Sequence, residues 1–322
     1  VSSLAALATV VSTVSNISSS GDQPRSSSIH SMNTAPILEK MIAFSRGNLH
    51  DIDHLIRVWT YARTIGELEQ LDGETQFLLE VAAITHDIAC PLCREKYGNT
   101  NGKLQETEGM HVLGDCHIHM ILDGVYSHTG SNSPYFNREG QFDSVGAHNS
   151  KESPYYSWFT FYSWPHAYNS WWSFDTLPTV NKMDPAFVEF IITGEDSVIA
   201  HWLKQGVDGF RLDVADELPD EFIKLLRDRV KEINPDAYVL GEVWEDASNK
   251  TAYNKRRTYF TNGELDSVMN YPFRTAIINF VRGFDSGKGL KETVMSIVEN
   301  YPKEVVLCNM NLLGTHDTPR IL

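Results

Sequence analysis

Between residues 37 and 84 apolar side chains recur at steps of three and four: Ile37, Met41 and Phe44, then Leu55, Val58, Trp59 and Ala62, then Phe77, Leu78, Val81, Ala82 and Ile84. That period gives each segment one apolar face and predicts three helices. Beyond residue 185 the pattern changes to a repeat. Phe187, Phe190, Ile191, Val198, Ile199 and Trp202 predict helical packing interrupted at Gly194, and Gly206 ends the segment. The short apolar run Gly209–Val214 predicts a buried strand. Phe222, Leu226, Val230 and Ile233 then form one stripe of a helix over about 219–234, with Asp220 and Glu221 at its positive end and Pro235 just past its stop. Tyr238–Trp244, Leu265–Met269 and Glu304–Leu313 predict further strands, with helices near 273–282 and 289–299. Strand alternating with helix is the signature of an α/β fold with a parallel sheet.

Two stretches lack either period. Residues 1–31 hold eleven serines and one apolar patch, Leu4–Val11, with no basic residue ahead of it. A secretory signal needs a basic start and a small-residue cleavage site as well as an apolar centre, so this segment predicts a disordered leader. Met32 begins a sensible domain, and residues 1–31 read as upstream sequence. Residues 129–184 are turn-rich and carry Trp158, Trp164, Trp171 and Trp172, four of the seven tryptophans. They predict an irregular inserted subdomain, most of its rings filling its interior and one or two offering flat faces to a ligand.

Composition narrows the function classes. The 322 residues allow one large or two medium domains, and 42% hydrophobic content suffices for a packed core. A formal net charge of −15 argues against nucleic acid or an anionic membrane as partner. No apolar run reaches the roughly 18 residues of a membrane span. Four dispersed cysteines, Cys90, Cys93, Cys116 and Cys308, make no disulfide framework and point to a reducing, cytoplasmic setting. Cys90 and Cys93 have the spacing of a redox or zinc pair without a second pair, and read as inert thiols.

The chemistry concentrates on Gly209–Glu217 (GFRLDVADE). Alternate side chains of a strand share a face, so Arg211 and Asp213 point the same way, and a fixed cation keeps the carboxylate ionised and oriented. Glu242 follows 29 residues later near the end of the next strand, about one strand-helix-strand unit away. Two acids thus reach the same end of a parallel sheet.

GFRLDVADE, the run Leu240–Asp246 (LGEVWED) and Leu312–Asp317 (LLGTHD) resemble the ordered motifs of the alpha-amylase family, glycoside hydrolase family 13. Asp123–His128 (DGVYSH) resembles its earlier motif and Leu177–Asn181 (LPTVN) its short motif between the third and fourth strands. The resemblance covers about residues 121–322 and is nearest the neopullulanase and cyclomaltodextrinase branch. It implies an incomplete (β/α)8 TIM barrel over 111–322, strands three to seven recognisable, with the insertion at 129–184. It implies retaining hydrolysis of alpha-glucosidic bonds in maltooligosaccharides, cyclodextrins or related alpha-glucans. Asp213 matches the nucleophile, Glu242 the acid and base, and Asp317 the third acid. Asp123, His128, Arg211 and His316 match residues that hold the sugar or orient the nucleophile. The resemblance requires no cofactor; it allows a calcium ion, with Ser127 where the family has asparagine, and a homodimer.

Residues 32–110 resemble a truncated, all-α segment of the HD superfamily of metal-dependent phosphohydrolases, with His54 and the pair His86–Asp87 matching ligands of a divalent metal and the family's later aspartate missing. His117 and His119 share a strand face and resemble the first-strand metal motif of the amidohydrolase superfamily, immediately before ILDGV at 121–125. The chain therefore reads as composite. An HD-type phosphohydrolase and a non-catalytic fusion fragment that binds glucan through its aromatic excursion are the alternatives to the glucan hydrolase.

Overall fold

The structure, a computed structural model, describes residues 33–71, 73–100, 104–105, 108–109, 112 and 119–319. The serine-rich leader, Cys116 and His117 lie outside the described residues. The chain divides into two units that meet between Met120 and Ile121.

The first unit is helical, with helices Ala35–Phe44, Leu49–Leu68, Gly73–Thr85 and Cys90–Tyr97. Met41, Leu55 and Ile84, three of the periodic positions, are buried together with Ile88 and Val112. Asn48 caps the second helix by accepting from the backbone N–H groups of His50 and Asp51. Among the described residues no helix is long and apolar enough to cross a membrane.

The second unit is built on a sheet of four parallel strands in the order β1 (Ile121–Gly124), β4 (Gly209–Leu212), β5 (Tyr238–Gly241) and β8 (Ser267–Val268). A single parallel bridge from Met269 to Met310 continues that order. This is the strand succession expected for part of a parallel barrel, with every strand facing the same way. β4 and β5 approach closely at Gly209, where a Cβ would stand 2.1 Å from the Tyr238 carbonyl oxygen, so only glycine fits.

Helix Asp220–Ile233 packs its stripe inward: Phe222, Ile223, Leu226 and Val230 are fully buried. The Phe222 ring lies 6.0 Å from Tyr126 and 6.2 Å from Phe187 between centroids, joining the helix to the stretch just past β1 and to the segment ahead of β4. The interruption expected at Gly194 is present: helix Pro185–Val188 runs into a π-turn over Glu189–Thr193, and a new helix spans Val198–Lys204. Helices Tyr271–Val281 and Gly287–Asn300 also match expectation.

The strand expected over Glu304–Leu313 is corrected. Lys303–Cys308 is a helix, and only Met310 pairs with the sheet. Val305 and Val306 favour strand by intrinsic preference, but Pro302 fixes a helix-compatible entry and Val305 buries on one face, so packing overrides propensity.

The insertion holds two hairpin strands, β2 (Phe161–Ser163) and β3 (Ala167–Tyr168), and little other regular structure. Phe136 is fully buried and touches Phe159, Phe161 and Tyr168 at centroid distances of 4.9, 5.8 and 4.7 Å. Trp158 is buried too, whereas Trp172 is 72% exposed. A further hairpin, β6 (Thr251–Ala252) with β7 (Lys255–Arg256), lies between β5 and β8. Phe222→Ala empties the junction of β1, the helix and the preceding segment; it is expected to cost about 3–5 kcal/mol, read as a lower urea midpoint at unchanged slope.

Candidate active site

Parallel register sets Asp123 on β1 directly beside Arg211 on β4. Arg211 Nη1 donates to Asp123 Oδ1 at 2.6 Å and to Asp213 Oδ1 at 2.7 Å, and its Nη2 lies 2.8 Å from Glu242 Oε2. One guanidinium therefore gathers carboxylates from the carboxyl ends of three neighbouring strands. Its rigid fork of donors suits this; a lysine ammonium offers no such plane. The Arg211 side chain is 11% exposed, Asp213 18% and Glu242 3%.

The backbone continues the ladder past the ends of the strands. The Asp213 N–H donates to the Gly124 carbonyl at 3.1 Å, the Glu242 N–H to Leu212 at 3.0 Å and the Ala215 N–H to Glu242 at 3.1 Å. Val214 then turns left-handed, with φ +40°. For a β-branched residue that conformation costs on the order of 1–3 kcal/mol and persists only where the surroundings enforce it. The N–H of this residue donates to Glu242 Oε2, 2.8 Å away, and its φ redirects the chain that follows. Glu242 Oε1 accepts from Trp244 Nε1 at 3.0 Å, and the Trp244 ring stacks on Tyr271 with centroids 4.1 Å apart. Both oxygens of Glu242 are thus fixed from known directions.

Charge balance distinguishes the groups. Burial is the largest influence on Asp213 and raises its pKa; Arg211 opposes, the Glu242 and Asp123 charges add to the rise, and the carboxyl is pushed up to about 6. Burial also works against the charge on Arg211, but its hydrogen bond to Asp123 and the charges of Glu242 and Asp213 outweigh it, and its pKa moves up. Burial, then the Lys182 charge, lower His128 below the ordinary imidazole value against the opposing pull of Glu217. His128 Nδ1 lies 2.8 Å from Ser127 Oγ, and its ring sits 5.1 Å from Trp171 between centroids.

Asp123, Arg211, Asp213 and Glu242 are brought together as the sequence predicts, whereas His128 contacts Ser127 and Trp171 and has no described hydrogen bond or ion pair to that cluster. His316 and Asp317 are not joined to that cluster by any described hydrogen bond or ion pair. They pair with each other at 3.0 Å on a turn where they are 69% and 42% exposed. The strand that should present them is reduced to the single Met310 bridge, and the turn after it is held by its own bonds and by Arg274, which donates to the carbonyls of Leu313 at 2.9 Å and Pro319 at 3.3 Å. Tyr271 OH, 3.5 Å from Thr315 Oγ1, is the described link between that turn and the Trp244–Tyr271 stack. Sequence reasoning assigned no role to Val214, Trp244 or Tyr271. Trp244 is legible afterwards, since it stands two positions from Glu242 and can share its face; the twist at Val214 has no sequence signal.

In the first unit His54 Nε2 lies 3.1 Å from His86 Nε2, and Asp87 Oδ2 lies 3.4 and 3.6 Å from those two nitrogens. Three ligand-type atoms fall within 4.8 Å of one another. His86 Nδ1 contacts the Ala83 carbonyl at 2.9 Å, which turns Nε2 toward the group. Cys90 and Cys93 are buried, and burial pushes the Cys90 thiol up to about 11, away from thiolate chemistry. His119 is described and has a partner, and no metal group among the described residues includes it.

Over residues 92–322 the chain matches the family described as Alpha amylase, catalytic domain. It is 35% identical over 257 residues to an amylopullulanase of Thermoanaerobacterium saccharolyticum, a match that covers 71% of this chain and 19% of that protein. It is 32% identical over 218 residues to a cyclomaltodextrinase of Geobacillus thermopakistaniensis, covering 64% of this chain and 34% of that one. Among solved structures, the type III pullulan hydrolase from Thermococcus kodakarensis superposes with a TM-score of 0.57 at 30% identity, covering 67% of this chain and 36% of that chain. The chain thus spans about a fifth of the length of the amylopullulanase and about a third of the cyclomaltodextrinase.

The raised Asp213 pKa is a stability statement. Between its ordinary value of 3.8 and about 6, the folded carboxyl keeps a proton that the unfolded chain has lost, so stability falls as pH rises through that window. Asp213→Asn removes the penalty. The variant is expected to melt above wild type at pH values over about 6, by at most about 3 kcal/mol, and to converge with it below about pH 4. A pH series of calorimetric melts checks the sign.

Proposed function

The chain belongs to the alpha-amylase family, and from that premise we propose that it hydrolyses alpha-glucosidic bonds of short alpha-glucans with retention of configuration. The observation that carries the proposal is the single Arg211 guanidinium holding Asp213 and Glu242 at adjacent strand ends. The names of the relatives, amylopullulanase and cyclomaltodextrinase, suggest maltooligosaccharides, cyclodextrins and pullulan as substrates.

In this reading Asp213, ionised above about pH 6, attacks the anomeric carbon. Glu242 acts in its protonated form, not the charged form that pairs with Arg211: it gives its proton to the departing glycosidic oxygen, and the bond to that oxygen breaks as the ester to Asp213 forms. Glu242 then removes a proton from water, which attacks the same carbon and releases Asp213. A retaining pair needs its carboxyl groups about 5–5.5 Å apart. Asp123 and His128 hold sugar hydroxyls, while Arg211 keeps the nucleophile oriented. Asp317 and His316 are assigned to the sugar by the family resemblance, from the turn that follows the Met310 bridge. Trp172 offers its open face to the C–H side of a glucose ring.

Release of reducing ends from maltooligosaccharides and cyclodextrins tests the reading. Asp213→Asn and Glu242→Gln are each expected to lower turnover roughly a thousandfold or more. Full activity in either variant contradicts the mechanism. A folded wild type that binds glucan without cleaving it favours the non-catalytic reading.

A second reading concerns the first unit, where the three converging donors support a divalent transition metal at His54, His86 and Asp87. These are three of the ligands that the HD resemblance implies, its later aspartate missing, and two imidazoles with one carboxylate suit cobalt, manganese or iron. Titration with Co²⁺ is expected to develop visible ligand-field absorption that His86→Ala abolishes and Asp213→Asn leaves intact. Absence of binding at about 1 mM metal overturns it.

A further inference from the structure

The segment after Glu242 is basic where the turn after Asp213 is acidic, and the two are laced together. Residues 250–259, which include the β6–β7 hairpin, reach across to residues 215–221. Lys250 Nζ lies 2.9 Å from Asp216 Oδ2, and the Tyr259 hydroxyl donates to the other oxygen of Asp216. Arg257 is the centre of the lacing. Its Nη1 donates to the Asp216 carbonyl at 3.2 Å, its Nη2 to the carbonyls of Leu218 at 2.5 Å and Ala215 at 3.4 Å, and its Nε lies 2.7 Å from Asp220 Oδ1. Arg257 and Asp220 side chains are both buried, and the guanidinium covers the Tyr259 ring 4.9 Å from its centroid.

The carbonyls that Arg257 holds begin at the residue directly after Val214. Val214 is the strained, left-handed position whose N–H donates to Glu242 Oε2, and on its other side stands Asp213. A strained residue needs a fixed neighbour on each side. β4 supplies one, through the Asp213 N–H on Gly124. We propose that Arg257, together with the Ala215 N–H on the Glu242 carbonyl, supplies the other: it is a positioning residue that clamps the Ala215–Leu218 turn, keeps Val214 left-handed and so keeps Asp213 and Glu242 in register. The inference rests on the hydrolytic reading above for its catalytic consequence, but not for its structural one. Arginine is required because the clamp spans several carbonyls and a carboxylate at once; lysine keeps the charge against Asp220 and loses the fork.

The test compares wild type with Arg257→Lys and Tyr259→Phe, the latter removing only the hydroxyl on Asp216. Amide hydrogen exchange, melting temperature and steady-state kinetics on a maltooligosaccharide are measured on all three. Arg257→Lys is expected to melt within a few degrees of wild type, to exchange the amides of residues 213–218 faster, and to lose roughly a hundredfold in kcat with KM within about threefold. Tyr259→Phe is expected to fall between the two. If Arg257→Lys does not fold, Tyr259→Phe decides: faster local exchange with lower kcat supports the clamp, and unchanged exchange and kcat overturn it. Arg257→Lys with wild-type exchange and kcat overturns it as well. A wild type that exchanges as expected but cleaves nothing counts against the hydrolytic reading, and the exchange comparison still decides the clamp.

Discussion

The second unit depends on one electrostatic constraint, a buried guanidinium surrounded by three carboxylates. Arg211 can satisfy Asp123, Asp213 and Glu242 together only if β1, β4 and β5 are parallel, adjacent and in register, because each acid comes from a different strand end. Removing an arginine from water is costly, and the carboxylates compensate that cost while outnumbering the cation. The excess negative charge adds to burial in raising Asp213, so the same arrangement that orders the strand ends leaves one acid poised near neutrality. Fold and chemistry are here two consequences of a single contact set.

The elements around this centre serve to hold it. Gly209 lets β4 and β5 close up, Phe222 locks the following helix against Tyr126 just past β1, and the amide of the left-handed Val214 meets Glu242. Trp244 and Tyr271 stack behind Glu242, and the basic residues 250–259 grip the turn that follows Asp213. Burial of the surrounding apolar side chains makes each polar contact stronger than it would be in water and leaves the groups little freedom to reorient.

Much of this was legible before the structure. Alternation on a strand placed Arg211 beside Asp213, the 29-residue spacing placed Glu242 on the next strand, and the Phe222–Val230 stripe marked the helix between. What escaped detection lies where local preference and tertiary context disagree. Val305 and Val306 favour a strand, yet packing and an entering proline make a helix, and His316 and Asp317 stand on an exposed turn with no described bond to Arg211. Val214 carries no sign of its left-handed backbone, since a β-branched residue is among the least suited to it. Likewise the tryptophans of the insertion look alike in sequence, but Trp158 fills the interior and Trp172 faces solvent. In the first unit the periodic positions marked the helices, and the convergence of His54 with His86 and Asp87 needed only that the second and third helices pack together.

The most direct measurement of the central claim is covalent trapping. A fluorinated maltosyl fluoride, whose departure is fast and whose hydrolysis from the enzyme is slow, is incubated with the chain, and its peptides are weighed by mass spectrometry. The account predicts one added glycosyl group on the peptide containing Gly209–Glu217, carried by Asp213, with the mass gain absent from Asp213→Asn. A label on Glu242 or Asp123, or no label at all, contradicts it.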